Sequence, residues 1–412
     1  MLGKWLQWQC KDAIQAIKCS VILPDGSCIK PPEPGYPVVT FSSWKTIIKL
    51  PFQPSLALGE AYANGTMTIE NGDLYDALKA MMDVQDSMNT SMLHQLASLA
   101  RRAFLFRKDG RKKAQSAHNI HVHYDLGNAF YRLFLDEDMQ YSCGYFAEPE
   151  TDLHTGQVAK KAHIARKLCL TGQQSVLDIG CGWGGLGLTL ARDYGAAVTG
   201  ITLSREQLTI AAARAKAEPA LPVQFACRDY RDENQLYDRI VSVGMFEHVG
   251  KKQFPEYFQT VDRLLAHDGV AVIHTIGSTM ASPGSDAFIS TYIFPGGYIP
   301  KLSEIMTSIE QTQLSVTDIE VWHNHYARTL RLWRKRFMAR RDEALAMFDE
   351  RFCRLWEFYL TGCELAFSHD KLVVYQIQMA KSKGIVPVTR DYLYQDRTLN
   401  FSPVKPVVFR AR

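Results

Sequence analysis

The segment VLDIGCGWGG, residues 176–185, carries the clearest chemical signal in the chain. A short apolar run reaches Asp178, and Gly180, Gly182 and Gly184 follow at alternate positions. Glycines there let the backbone turn tightly and approach a ligand beside the carboxyl edge of a sheet. The dinucleotide fingerprint GxGxxG fits less well, because a glycine falls one position early, although Gly185 keeps that spacing open. The phosphate-loop motif fails, since no GK[ST] follows. His118, His121 and His123 invite a metal, but their spacing suits neither HExxH nor a zinc finger, and no metal is expected. His323 and His325 are read in the same way.

Such a turn requires a strand before it and further strand–helix units beside it. SVLDIG (175–180) reads as a buried strand, followed by a helix over about 184–194. The strand AAVTGIT, the helix SREQLTIAAARAKAE and the strands PVQFAC and RIVSVG (239–244) come next. A helix through 253–266 and the strand VAVIHTIG (270–277) complete the run. This alternation implies a parallel sheet with helices on both faces, an α/β fold.

The flanks differ in texture. Residues 1–112 read as a smaller domain, with Pro/Gly-rich punctuation over 24–37, strand-like alternation in WKTIIKLPF, and helices over DLYDALKAMMDVQDSMN and about 91–106. The basic stretch RRAFLFRKDGRKK (101–113) reads as a linker to a catalytic domain spanning 113–412. A helix covers 154–170, and the Gly/Pro/aromatic stretch 277–300 reads as a loop of the kind that forms lids. The tail reads as helical over 325–348 and 354–367.

Composition excludes whole classes. Of 412 residues 46% are hydrophobic and 22% charged, which rules out a disordered or collagen-like chain. Forty-seven Lys+Arg against 43 Asp+Glu leave a net charge of +4, too mild for a dedicated nucleic-acid binder. Nine cysteines form no CxxC pair and, with a poor signal peptide at the N-terminus, point to reduced thiols in the cytoplasm. No run of 18 apolar residues is present, so no membrane span is expected.

The GxGxG turn with its leading acid resembles motif I of the class I S-adenosylmethionine-dependent methyltransferases. The segments HYDLGNAFYRLFLDEDMQYSCGYF (123–146), GITLSREQ (200–207), DRIVSVGMFEHVGKKQF (238–254), HTIG (274–277), YIFPGGYIP (292–300) and HYARTLRLW (325–333) extend the resemblance to the cyclopropane-fatty-acyl-phospholipid synthase family and its mycolic-acid relatives. LALGEAYANGTMTIENGDLYDALK (56–79) is similar to that family's N-terminal extension.

The resemblance implies a Rossmann-like, mostly parallel seven-stranded sheet. It also implies methyl transfer from S-adenosylmethionine, leaving S-adenosylhomocysteine, to the cis double bond of a phospholipid acyl chain, with a cyclopropane closing after a bound bicarbonate takes a proton. Carried over, the cofactor residues are Tyr141, Ser142, Asp178, Gly180, Gly182, Gly184, Thr202, Gln207, Tyr230 and Arg231. At Thr202 and Gln207 a hydroxyl and an amide replace the acid usual at the ribose. The bicarbonate set is Glu247, His274 and Tyr326 through side chains, with Cys143 and Ile276 through backbone groups. Cys363 falls at the family's C-terminal active-site cysteine, and packing is its expected role because direct methyl transfer needs no covalent enzyme intermediate. A homodimer is implied, peripheral on the inner face of the cytoplasmic membrane. The competing readings are a fatty-acyl C-methyltransferase giving a methyl or methylene branch, a small-molecule N-methyltransferase, and a non-catalytic cofactor binder.

Overall fold

The computed structural model describes residues 18–88, 126–280, 286–369, 371–382 and 384–394. The basic stretch 101–113, the helix read over about 91–106, and His118, His121 and His123 lie outside the described residues. The chain divides into two compact units: Met1–Gly110, Ser285–Pro295 and Leu330–His369 in the first, and Arg111–Gly284, Gly296–Thr329 and Asp370–Arg412 in the second.

The first unit contains β1 (Ser20–Ile22), β2 (Cys28–Lys30), β3 (Val38–Phe41) and β4 (Met67–Glu70), in the order β2-β1-β3-β4. Its early helices are α1 (Trp44–Lys49), α2 (Pro54–Ala63) and α3 (Leu74–Met88). The strand expected in WKTIIKLPF is therefore α1. An alternating strand would bury Thr46 and Ile48 together, yet Thr46 is 8% exposed and Ile48 is 60% exposed. Trp44, Ile47 and Ile48 also satisfy the i, i+3, i+4 spacing, and over so short a run the two periods are hard to separate.

This unit is not confined to residues 1–112, because later segments complete its core. Gly59 has no side chain where Phe288 lies: a Cβ would stand 2.3 Å from that ring. Phe288 belongs to the stretch read as a loop, and Ile289–Ile293 forms a π-helical turn there. The Tyr292 hydroxyl donates to Glu60 at 3.1 Å, and that of Tyr62 donates to Glu357 at 2.9 Å.

In the second unit α4 (Asn128–Tyr131) and α5 (Leu153–Lys167) precede a strand–helix alternation. It runs β5 (Ser175–Ile179), α6 (Gly185–Tyr194), β6 (Ala197–Thr202), α7 (Arg205–Ala217), β7 (Val223–Cys227), β8 (Tyr237–Val243), α8 (Phe254–Leu264) and β9 (Leu265–Ser278). After α9 (Leu302–Ile309) come β10 (Ser315–Trp322) and β11 (Leu372–Ala380). The seven strands lie in the order β10-β11-β9-β8-β5-β6-β7, parallel from β9 to β7 and antiparallel at β9–β11 and β11–β10.

Both faces of the central strands are buried, as a parallel sheet requires, while the edge strands β7 and β10 are partly exposed. On β5, Val176 joins a core with Ile164 of α5 and Leu190 of α6, while Leu177 and Ile179 join the opposite core with Phe258 and Val261 of α8. Successive side chains point to opposite faces, so this alternation fixes the register.

Between β10 and β11 the chain forms α10 (His325–Ala339), α11 (Arg341–Met347) and α12 (Glu350–Ser368). The helix read over 325–348 breaks at Arg340. Asp342 and Glu343 fill the first turn of α11, where acids favour a helix start, and Arg340 clasps Glu343 through two hydrogen bonds of 2.7 Å.

Candidate active site

The strand β5 has β6 on one side and β8 on the other, so the chain's direction of winding reverses beside it. Open α/β sheets bind ligands in the crevice outside the carboxyl ends of strands at such a point. A cleft opens there, lined by residues 178–183 after β5, 201–203 and Gln207 after β6, and 228–231 after β7. Residues 243–245 and His248 after β8 form one wall, and residues 139–142, ahead of α5, form another.

The glycine turn explains itself locally. Gly180 has φ +84°, and a Cβ on it would lie 2.8 Å from the Met245 side chain. Gly184 has a different place: with φ +82° it caps α6 and faces Phe225 and Ala211, and it does not line the cleft. Asp178 is buried at the floor, and its Oδ2 has no hydrogen-bond partner among the described residues. Burial pushes its carboxyl up to about 7, against the pull of the Lys160 ammonium.

Around β6 the polar groups are neutral. Ser204 caps α7, accepting from the Gln207 amide at 3.3 Å, and its own amide donates to the Thr202 hydroxyl at 3.1 Å. The Thr202 hydroxyl donates to Gln207 Oε1 at 3.5 Å, which leaves the Gln207 Nε2 hydrogens for another acceptor. After β7, Asp229 grips Arg231 through Nε at 2.8 Å and Nη2 at 2.6 Å. Tyr230 packs edge-on to Tyr257, and burial raises its hydroxyl pKa.

The second group of residues picked out by motif lies outside the cleft lining, and of these Cys143 and Glu247 adjoin it along the chain. Glu247 follows Met245 by two positions, and its Oε1 accepts the Ile276 backbone N–H at 2.6 Å. Its buried Oε2 has no partner among the described residues, and burial pushes the carboxyl up to about 7. His274 lies two residues before Ile276 on β9, with Gln376 Nε2 of β11 at 3.0 Å from its Nδ1. Burial, then the charges of Lys160 and Lys167, hold this imidazole neutral. Cys143 is buried beside Thr329 and burial pushes its thiol up. Tyr326 stands in the first turn of α10. These five residues belong to the second unit, whereas Cys363 belongs to the first, on α12, with its thiol also raised by burial.

Several lining residues escape a reading by motif: Gln140, Arg228, His248 and Gln253. The signal for His248 was its place beside Glu247 at a strand end. Gln140 and Gln253 carry no spacing that could mark them. His325, read with scepticism as a ligand, accepts the Phe146 amide at 3.0 Å through Nδ1.

The profile of the mycolic acid cyclopropane synthetase family matches residues 111–377. The chain is 38% identical to the cyclopropane-fatty-acyl-phospholipid synthase of Escherichia coli (strain K12), over 79% of this chain and 83% of that one. It is 36% identical to the tuberculostearic acid methyltransferase UfaA1 of Mycobacterium tuberculosis, over 78% of each. Among solved structures, the mycolic acid cyclopropane synthase CmaA1 complexed with SAH and CTAB superposes with a TM-score of 0.61 at 32% identity, covering 64% of this chain and 97% of that one. With the reversal-point cleft and its glycine turn, these likenesses place the chain in the mycolic acid cyclopropane synthetase family, as a class I methyltransferase that uses S-adenosylmethionine.

Proposed function

We propose that the enzyme adds the methyl group of S-adenosylmethionine to the cis double bond of an unsaturated phospholipid acyl chain and closes a cyclopropane ring. The observation that carries this reading is Glu247, a buried carboxyl next to the cleft wall with one oxygen fixed by Ile276 and the other without a partner. An alkene is a weak nucleophile, and once its electron pair takes a methyl a proton must leave before the ring closes. The site therefore needs a proton acceptor and little water.

The chain's residues fit the cofactor. Asp178 offers an unpartnered oxygen to a cationic donor, the Gln207 amide suits ribose hydroxyls, and Tyr230 and Arg231 frame the position expected for the adenine. When bound, S-adenosylmethionine supplies an electrophilic methyl on a sulfonium. The residues also fit a bicarbonate: Glu247 Oε2 would accept its hydroxyl and orient it, and neutral His274, with its proton on Nε2, would donate to it. Tyr326 would add a further hydroxyl to that set, and the Ile276 amide is engaged by Glu247. When bound, bicarbonate supplies the proton acceptor. Cys143 keeps its proton and does not compete as a nucleophile.

The reading extends to a homodimer working at the inner face of the cytoplasmic membrane, with the N-terminal region as its lipid-attachment part. In support, Ile48 and Phe52 are 60% and 62% exposed beside Lys45, and no helix among the described residues is long and apolar enough to cross a membrane. Such an arrangement suits an enzyme that visits a bilayer without spanning it.

The test is incubation with methyl-labelled S-adenosylmethionine and vesicles of cis-unsaturated phospholipid, followed by proton NMR of the acyl chains. Upfield ring protons support cyclopropanation. Olefinic methylene or saturated methyl-branch signals move the assignment to a C-methyltransferase, the activity named for the tuberculostearic acid relative. Label that reaches soluble amines and no lipid overturns the lipid reading.

A further inference from the structure

Lys160 is the least expected charge in the second unit. It lies in the middle of α5 with no exposed surface, and its Nζ donates to Gln140 Oε1 and to Ser142 Oγ, each at 2.8 Å. Both acceptors line the cofactor cleft. The helix face that carries it is dedicated to the same stretch of chain. Gln157, three residues earlier, donates through Nε2 to the Ser142 carbonyl at 2.8 Å, and Lys161 pairs with Asp138 at 2.5 Å. Residues three and four apart share one face of a helix, so α5 presents a row of donors to a wall with no regular structure of its own. That wall is bent: Met139 has φ +56°, a conformation costly for a residue with a Cβ.

A lysine at this depth is expensive. Burial lowers its pKa to about 8, with Asp136 the largest opposing charge and Lys161 pressing in the same direction as burial. Asp138, Cys143 and Asp178 also feel its charge. A plain packing role would be met by methionine or leucine at less cost.

We propose that Lys160 is a positioning residue for the methyl donor: by clamping the side chains of Gln140 and Ser142 it fixes the wall formed by residues 139–142 in the shape that receives S-adenosylmethionine. This rests on the cleft being the cofactor site. The residue acts through Gln140 and Ser142.

The experiment uses the full-length enzyme and compares wild type, Lys160→Met, Gln140→Leu, Ser142→Ala and the double variant Lys160→Met/Ser142→Ala. Affinity for S-adenosylhomocysteine is measured by calorimetry, and KM for S-adenosylmethionine and for lipid vesicles is measured separately. Lys160→Met is expected to weaken S-adenosylhomocysteine and raise KM for S-adenosylmethionine by tenfold or more, with lipid KM unchanged within twofold. The double variant should lose less than the product of the single losses, because the clamp is already open. If Lys160→Met does not fold, Gln140→Leu reads the same clamp from its partly exposed end, with a severalfold weakening expected. Affinity within twofold of wild type in a folded Lys160→Met, or in Gln140→Leu where the former fails, overturns the proposal. So does an equal rise in both KM values. Failure of the wild type itself to bind S-adenosylhomocysteine would instead overturn the cofactor reading.

Discussion

Asp178, at the carboxyl end of β5, and Glu247, in the turn after β8, are buried carboxyls that both stand at about 7 and both keep one oxygen unpartnered among the described residues. Their surroundings differ. Asp178 lies on the floor of the cleft within the field of the Lys160 ammonium. Glu247 lies outside the lining, tied by one hydrogen bond to the amide of Ile276 on the neighbouring strand. An acid near a fixed cation and open to a cleft is suited to hold a cationic ligand. An acid anchored at one oxygen, near neutral pKa and away from cations, is suited to move or orient a proton. Burial alone does not separate the two tasks; the neighbour does.

Substitution should separate the two carboxyls most strongly. Glu247→Gln keeps the shape and removes the charge, and turnover should fall by about 10²–10⁴-fold. S-adenosylhomocysteine affinity, read by calorimetry, should stay within a few-fold; a parallel loss of affinity would merge the two roles. Asp178→Asn should show the reverse pattern. Hydrogen bonds to charged groups contribute about 1.5–3 kcal/mol, so the affinity should weaken on the order of ten- to a hundredfold. Its kcat at saturating cofactor should change less than its KM.

The two carboxyls also share a pH dependence. Both carboxyls bind their protons more tightly folded than unfolded, since an unfolded carboxyl titrates near about 4. The stability they contribute is therefore complete below that value and is lost as pH rises toward 7. The melting temperature of the ligand-free enzyme should fall across this window, and each of Glu247→Gln and Asp178→Asn should flatten part of the slope. Catalysis runs the other way. An ionised Glu247 is the form that can accept the hydroxyl of the bicarbonate base and orient it, so kcat/KM for lipid should rise through pH about 7. The smallest effect belongs to the cleft's edge: Ser204→Ala removes the cap of α7 and should cost about 1 kcal/mol, read as a lower melting temperature.

The same two regions show what a sequence reveals. The floor at Asp178 was legible because its information is local. Strand, acid, glycines and helix follow within ten residues, and of the cofactor residues chosen by motif only Gly184 stands away from the cleft, where it caps a helix instead. Glu247 has no such local signature; its significance depends on Ile276, which comes adjacent only when β8 and β9 pair. The strands β5 to β9, buried except for the edge strand β7, announce themselves by apolar runs. The strand β11 is as buried, yet LVVYQIQMA carries Gln376 and Gln378 inside, their Nε2 groups held by His274 Nδ1 and by the Lys167 carbonyl, partners that no local pattern names. Short segments fail for another reason. In WKTIIKLPF a helix and a strand explain the apolar residues about equally, and tertiary packing decides.

The placement of β11 also bears on how the molecule is made. It is inserted between β9 and β10, paired with β9 at nine consecutive positions from Leu372↔Ser278 to Ala380↔Val270. A chain emerging from the ribosome therefore presents the cofactor turn and β9 well before the strand that covers β9 exists. Until then the edge of the sheet is open, and His274 lacks the Gln376 amide that orders its ring. A nascent chain can therefore hold the cleft in outline while the surroundings of His274, the site proposed for the base, are still unfinished.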